Sequence, residues 1–378
     1  MLNRRSLRIK VMQSLFAFHQ SKEASYLLSQ DYVERAFELN LNSMEVQDKK
    51  ELSKKQKEAV KLFQSSFKER QKITHEDQKI QDTVKESLKL YDKTIKNDLS
   101  VFGKSLVRDV EKIYAHYLSV LSLAIAFAEV AEADKKINHT NFLKNDWILA
   151  FRQTTELKKE SSRMNVSWDN QTDRVRLWLR DVVKQDPDYM AYLDKNSPSR
   201  EDQKKAINHF FKRIILGKTS INDFYEEEVL RWAEDREIVK GMVEKTVKSF
   251  DPSEAEQIQL HALSLNWEDD LDFMERLFSG SASLSPDHQK LIADNTRNWE
   301  VERLPLTDRV ILEMAITELI TFPSIPVKVT INEYIELAKN YSTPKSRQFI
   351  NGILDVISKE LKTTGNLKKS GRGLMDNK

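Results

Sequence analysis

Arg4, Arg5, Arg8 and Lys10 crowd the first ten residues of this 378-residue chain, and Lys339, Lys345 and Arg347 gather again near its other end. Side chains of this type neutralise phosphates, so both stretches are candidate contacts to a nucleic-acid backbone. Catalysis has no comparable constellation. The chain contains no cysteine, which excludes a disulfide, a thiolate nucleophile and a cysteine-ligated zinc. Its seven histidines, His19, His75, His116, His139, His209, His261 and His288, are scattered without metal-ligand spacing. Gly365, Gly371 and Gly373 lie in a basic run after the last helix, whereas a phosphate-cradling loop belongs between a strand and a helix. Paired carboxylates occur on any charged helix and carry no weight. No catalytic residue, metal or cofactor is expected.

The first cationic group opens the segment NRRSLRIKVMQSLFAFHQ, whose periodicity predicts a helix with two used sides. Leu7, Val11, Leu15 and Phe18 form one stripe, and Arg5, Arg8, Ile9, Met12 and Phe16 lie broadly opposite. Positive charge in a first turn opposes the helix dipole, so arginines kept there point to a nearby anion. The second cationic group sits in two short amphipathic helices between Pro326 and Asp355. Thr330 and Glu333 have capping-box spacing, which makes Ile331 the first helical residue, with Ile335 and Ala338 on its inward face. Thr343 is placed to cap the next helix, with Pro344 in its first turn. Phe349, Ile350, Ile353, Leu354, Ile357 and Leu361 supply the apolar stripe of that helix. Gly352 in mid-helix suggests that another backbone passes close by.

Together these ends resemble the NusB family. The match runs through Pro326, Val329, Ile331, Asn332, Glu333, Ile335, Glu336, Leu337, Ala338, Lys339 and Tyr341. It continues, after a short joint, through Ser346, Phe349, Ile350, Asn351, Gly352, Ile353, Leu354 and Asp355. Arg4, Arg5, Arg8, Gln13, Leu15 and Phe16 match the family's arginine-rich opening; 272–278 resembles its third helix and Asn298 to Ile320 its central buried helix. The resemblance implies an all-α fold, a NusB-like bundle made from the N-terminal helix and the C-terminal third. It also implies a transcription antitermination factor that binds boxA-type single-stranded RNA with the ribosomal protein NusE, so that RNA polymerase resists termination on ribosomal RNA operons. Phe16, Tyr341 and Phe349 match aromatic positions near the family's RNA surface, Ser346 belongs to the motif, and Asp308 and Glu318 fall on or near its acidic partner surface. Lys345 departs from the acidic residue that relatives often carry there, which would strengthen or retune RNA contact. NusB-like domains also accompany RNA cytosine-5 methyltransferases, but a chain without cysteine lacks their nucleophile.

Between the two ends, no proline occurs before Pro187 and Gly103 is the only glycine before Gly217, so this long stretch should be helical. The domains expected are the arginine-rich helix at 1–22, a helical insertion at 23–224, the C-terminal bundle at 225–361 and a disordered basic tail at 362–378. Residues 45–98 are dominated by Lys, Glu, Gln and Asp and suit an exposed helix or helical hairpin whose mixed charges face solvent. The proline-bearing passage 186–203 reads as a connection. Leu118 to Ala128, the most apolar run, is too short to span a bilayer and reads as a buried helix. A net charge of +2 confines any basic footprint to local patches. Cysteine-free composition fits a cytoplasmic protein. Two other functions are compatible with these residues: a helical protein-interaction scaffold and a ribosome-assembly factor without antitermination activity.

Overall fold

A chain so short of proline and glycine should fold as helices, and the structure, a computed structural model, is all-α. It describes residues 2–40, 42, 47–69, 73–252, 258–296 and 304–377, and no strand occurs among them. Residues 298–303 of the expected central helix, parts of the charged segment at 45–46 and 70–72, and Lys378 of the tail lie outside the described residues. The order begins α1 (Arg4–Arg35), α2 (Lys49–Glu69) and α3 (Gln78–Glu132). Shorter helices follow: α4 (Thr140–Leu143), α5 (Asp146–Gln153), α6 (Thr155–Arg163), α7 (Thr172–Trp178), α8 (Pro187–Leu193), α9 (Arg200–His209) and α10 (Thr219–Glu228). The remainder comprises α11 (Trp232–Ser249), α12 (Trp267–Ala282), α13 (Pro286–Asn295), α14 (Leu306–Thr321), α15 (Val327–Tyr341) and α16 (Ser346–Thr363).

Two compact units share these elements. One comprises Arg5–Val107 and Leu271–Lys378, the other Met1–Arg4 and Arg108–Asp270. Residues 23–107 thus join the unit that holds the C-terminal bundle, and 225–270 join the other. The sequence boundaries at 22/23 and 224/225 fall inside α1 and α10 rather than between units.

In the first unit α14 is the axis. Every residue from Val310 to Leu319 is buried, as expected of a helix enclosed on all sides. α12 contributes Phe273, Met274, Leu277 and Phe278 to the core, and α16 contributes Ile350, Ile353, Leu354, Ile357 and Leu361. Leu7, Val11, Leu15 and Phe18 of α1 are buried as their spacing predicts. Beyond residue 22, α1 runs on without a break and packs against a hairpin of α2 and the start of α3. Val33, Phe37, Ala59, Phe63, Ile80, Val84 and Leu88 form that contact's core.

The second unit packs residues 108–132 of α3 with α4–α11 around Phe127, Trp147, Phe151, Phe210, Phe211 and Trp232. By length and composition α3 could cross a membrane, yet Leu118, Val120, Leu121, Leu123, Ala124, Phe127 and Ala128 are fully buried in this core. The passage 186–203 is no loose connection either. Asp186 caps α8 by accepting from the Tyr189 amide, and Tyr189 and Tyr192 are buried. Turn-forming residues here start helices instead of joining domains.

Three local expectations are corrected. α15 begins at Val327, a turn before Ile331, because Pro326 already holds the extended geometry of a helix entry; Thr330 is then internal. Gly352 is exposed, and a Cβ added there would meet nothing. The tail does not hang free. Gly365 turns the chain with φ +73°, after which the Ser370 amide donates to the Pro323 carbonyl and Lys369 Nζ donates to the Phe322 carbonyl at 3.1 Å. A Cβ at Gly373 would collide with the Pro323 carbonyl oxygen, so the tail's seat requires glycine. Gly373→Ala should therefore accelerate tryptic cleavage at Lys368 and Lys369 several-fold, while shifting the thermal midpoint by less than about 3 °C. Unchanged cleavage would show that this seat does not hold the tail.

Candidate nucleic-acid interface

The arginine-rich first turn of α1 meets α14 and α15, and the contact is ionic. Arg8 donates to Glu318 through Nε and Nη2, both at 2.7 Å, in a bidentate pair. Thr330 Oγ1 donates to the same carboxylate at 2.9 Å and the Tyr334 hydroxyl at 3.0 Å. Glu318 therefore has four donors, and Arg8 also lies 3.5 Å from Glu333. Arg8 is 3% exposed and Glu318 fully enclosed. Burial opposes the charge on Arg8, but the Glu318 hydrogen bonds outweigh it and raise the guanidinium pKa still further. Burial, reinforced by the Glu318 carboxylate, pushes the Tyr334 phenol well above its usual value, so it stays a donor.

Two more networks fix the same bundle. His19 Nε2 lies 2.8 Å from Glu313, and Arg309 Nη2 lies 3.0 Å from the other ring nitrogen. In the first turn of α14, at the other end from Glu318, Asp308 accepts from Ser342 Oγ at 2.5 Å and Ser346 Oγ at 2.7 Å. Thr343 Oγ1 bonds Ser346 Oγ at 2.8 Å, so the α15–α16 joint is tied to the start of α14 rather than closed by a threonine cap alone. These pairings give the directions of the helices. α14 runs against both α1 and α15, and α1 and α15 run the same way. With Arg5 beside Glu333, helical rise brings Phe16 roughly level with the α15–α16 joint, about 16 Å along.

The cations expected to meet phosphate separate accordingly. Arg5 is half exposed and donates to Glu333 at 2.8 and 3.0 Å. Lys345 and Arg347 are exposed at the joint, and Lys339 is exposed at 3.7 Å from Glu336. Tyr341 and Phe349 are half-buried beside that joint, and Phe16 is 38% exposed. Arg8 and Lys10 are buried and cannot meet a phosphate in this conformation. Ser346 is buried on Asp308. Arg4 belongs to the second unit, where it donates to the Asp269 carbonyl and lies 3.7 Å from Asp270. Asp308 and Glu318 are not surface carboxylates: each is buried and satisfied by its own chain, which corrects their reading as partner contacts. One further grouping was invisible in the sequence. Asp186, Asp188 and His209 bring their ligand-capable atoms within 4.8 Å of one another in the second unit, with the ring nitrogens of His209 at 2.8 and 3.5 Å from the two aspartates.

Removing one partner of the Arg8–Glu318 pair leaves a buried charge uncompensated, so Arg8→Ala should cost about 3–5 kcal/mol in denaturant unfolding. Arg8→Met with Glu318→Leu should recover most of that loss; equal costs for the single and double variants would refute the pairing. Hydrogen bonding from Arg5 holds the Glu333 carboxyl below its ordinary 4.5. A depressed pKa contributes its stability in full above the unfolded value and loses it as pH falls through the folded one. Arg5→Ala should thus cost about 0.5–1 kcal/mol at pH 7, with the difference from the wild type shrinking below pH 4.5.

Comparison with known proteins agrees with this bundle. A model of the NusB family matches residues 234–359. "Transcription antitermination protein NusB" of Salinibacter ruber is 43% identical over 104 residues, which span 28% of this chain and 65% of that protein. The protein of the same name from Chloroherpeton thalassium is 43% identical over 105 residues, 28% of this chain and 50% of its own. A third, from Dictyoglomus thermophilum, is 38% identical over 97 residues, 26% of this chain and 67% of its own. The chain spans between half and about two thirds of the length of these relatives. No solved structure matches. α12, α14, α15 and the α15–α16 joint lie within the matched region, and with 38% identity over 67% of the Dictyoglomus thermophilum protein the chain belongs to the NusB family.

Proposed function

We propose that the chain is a non-enzymatic, RNA-binding transcription antitermination factor of the cytoplasm. In this reading it binds a boxA-type single-stranded RNA together with the ribosomal protein NusE, and so supports ribosomal RNA transcription by RNA polymerase. The name shared by the relatives, transcription antitermination protein NusB, supports antitermination. The observation that carries RNA binding is the joint between α15 and α16, where Lys345 and Arg347 are exposed between the half-buried rings of Tyr341 and Phe349. Charge at such a site holds the backbone while planar side chains stack on splayed bases, each stack contributing roughly 1–3 kcal/mol.

Arg5, Lys339 and Phe16 extend the surface along α1 and α15. Arg8, Asp308, Glu318 and Ser346 serve it from within by fixing helix placement and joint conformation. Arg4 and Lys10 stand outside the contact. The NusE surface is assigned to neither Asp308 nor Glu318.

Titrating a boxA-like RNA at several salt concentrations tests the assignment. Lys345→Ala with Arg347→Ala should weaken binding roughly ten-fold at moderate salt and flatten the slope of log K against log salt by about 1.4, the value for two phosphate contacts on a single strand. An unchanged affinity and slope would remove the joint from the RNA site.

A further inference from the structure

The insertion's hairpin carries a feature that neither the composition of 45–98 nor the family match reaches. On α2, Lys50, Lys54, Lys57, Lys61 and Lys68 recur at steps of four, three, four and seven residues, and all five are exposed. At 3.6 residues per turn they fall within about 60° of one another around the axis, along roughly 27 Å of helix. Buried Ala59, Phe63 and Ser66 lie on the opposite side, against α1 and α3. Glu51, Glu58 and Glu69 lie to one side of the stripe. Lys54 reaches Glu58 only at 3.9 Å, and among the described residues no carboxylate pairs with Lys50, Lys57, Lys61 or Lys68.

Such an arrangement costs stability. Lys50 and Lys54, Lys54 and Lys57, and Lys57 and Lys61 are like charges at i,i+3 or i,i+4 spacing, each pair destabilising by roughly 0.2–0.5 kcal/mol. Lysines that packing does not need, held on one outward face against their own repulsion, fit an extended polyanion. The stripe presents no large exposed aromatic and no arginine fork, so it lacks the means to read bases.

We propose that this face of α2 is a second RNA-contact surface, which binds the sugar-phosphate backbone of single-stranded RNA without sequence preference. It extends the proposed function, with the joint selecting the RNA and the stripe holding flanking nucleotides. Both surfaces belong to the same unit, and α1 links them: Arg5 and Tyr26, whose ring contacts Phe63 of α2, are roughly 30 Å apart along one helix.

The test compares wild type with the full-length variant Lys50→Gln, Lys54→Gln, Lys57→Gln, Lys61→Gln. Gln keeps helix propensity, and relief of repulsion should leave the thermal midpoint unchanged or raised. The probes are a boxA-like RNA with long flanks and a scrambled RNA of equal length. Expected is a salt slope flatter by about 2.8 and affinity lower by ten- to a hundred-fold for both RNAs, with the ratio between them unchanged. An unchanged slope, in a protein whose binding still falls with Lys345→Ala/Arg347→Ala, overturns the stripe and leaves the joint standing. The reverse pattern overturns the joint alone. A lowered thermal midpoint would make the lysines structural and overturn the proposal. Stripe-dependent binding of poly-glutamate without any effect on RNA would reassign the face to an acidic protein.

Discussion

One buried ion pair closes this fold on itself. Arg8 and Glu318 stand 310 positions apart, yet their side chains meet in a bidentate bond enclosed by Thr330, Tyr334 and Phe273. Desolvating both charges is expensive, and the pair is tolerable only because every acceptor site on Glu318 is used. That requirement sets the register of α1 against α14, and α15 must start early enough for Thr330 and Tyr334 to supply the remaining donors. The hydrophobic residues around it would accept several slightly shifted packings; a carboxylate needing four donors accepts far fewer.

The same logic operates at the other end of α14. Asp308 spends its carboxylate on Ser342 and Ser346, so the joint between α15 and α16 has a defined shape even though its outer face is only Thr343, Pro344, Lys345 and Arg347. Buried polar groups thus position, and exposed ones make contact. The arginine-rich opening of α1 divides between the two: Arg8 is structural, and Arg5, tied to Glu333, keeps half of its surface in water.

Much of the bundle was legible in the sequence because apolar spacing and burial coincide there. The faces of α1 and α16 follow their stripes, and α14 carries buried apolar residues on every side. Legibility failed where a polar residue has two readings. Thr330 at capping-box spacing from Glu333 looked like a helix start, but the cap position was already filled by Pro326 and the hydroxyl serves Glu318 instead. Glu318 looked like a surface acid, although its setting among Met314, Ile316 and Leu319 in an otherwise apolar run was a signal of enclosure. Gly352 lacks the close neighbour expected of it, whereas Gly373 has one that was not expected, since close approach depends on a partner segment that local spacing cannot show. The lysines of α2 were plain in composition, but their common face emerged only once Phe63 and Ala59 fixed which side is buried.

Fastening a chain at points so distant has a consequence for what may lie between them. Loop-closure entropy grows only with the logarithm of the enclosed length, so doubling the intervening chain adds roughly 0.6 kcal/mol. The Arg8–Glu318 clasp can therefore admit whole helices, and even a unit with its own core, for little more than the toll on a short connection. Change should be far less free at the clasp itself, where neither residue can be replaced alone without stranding a charge.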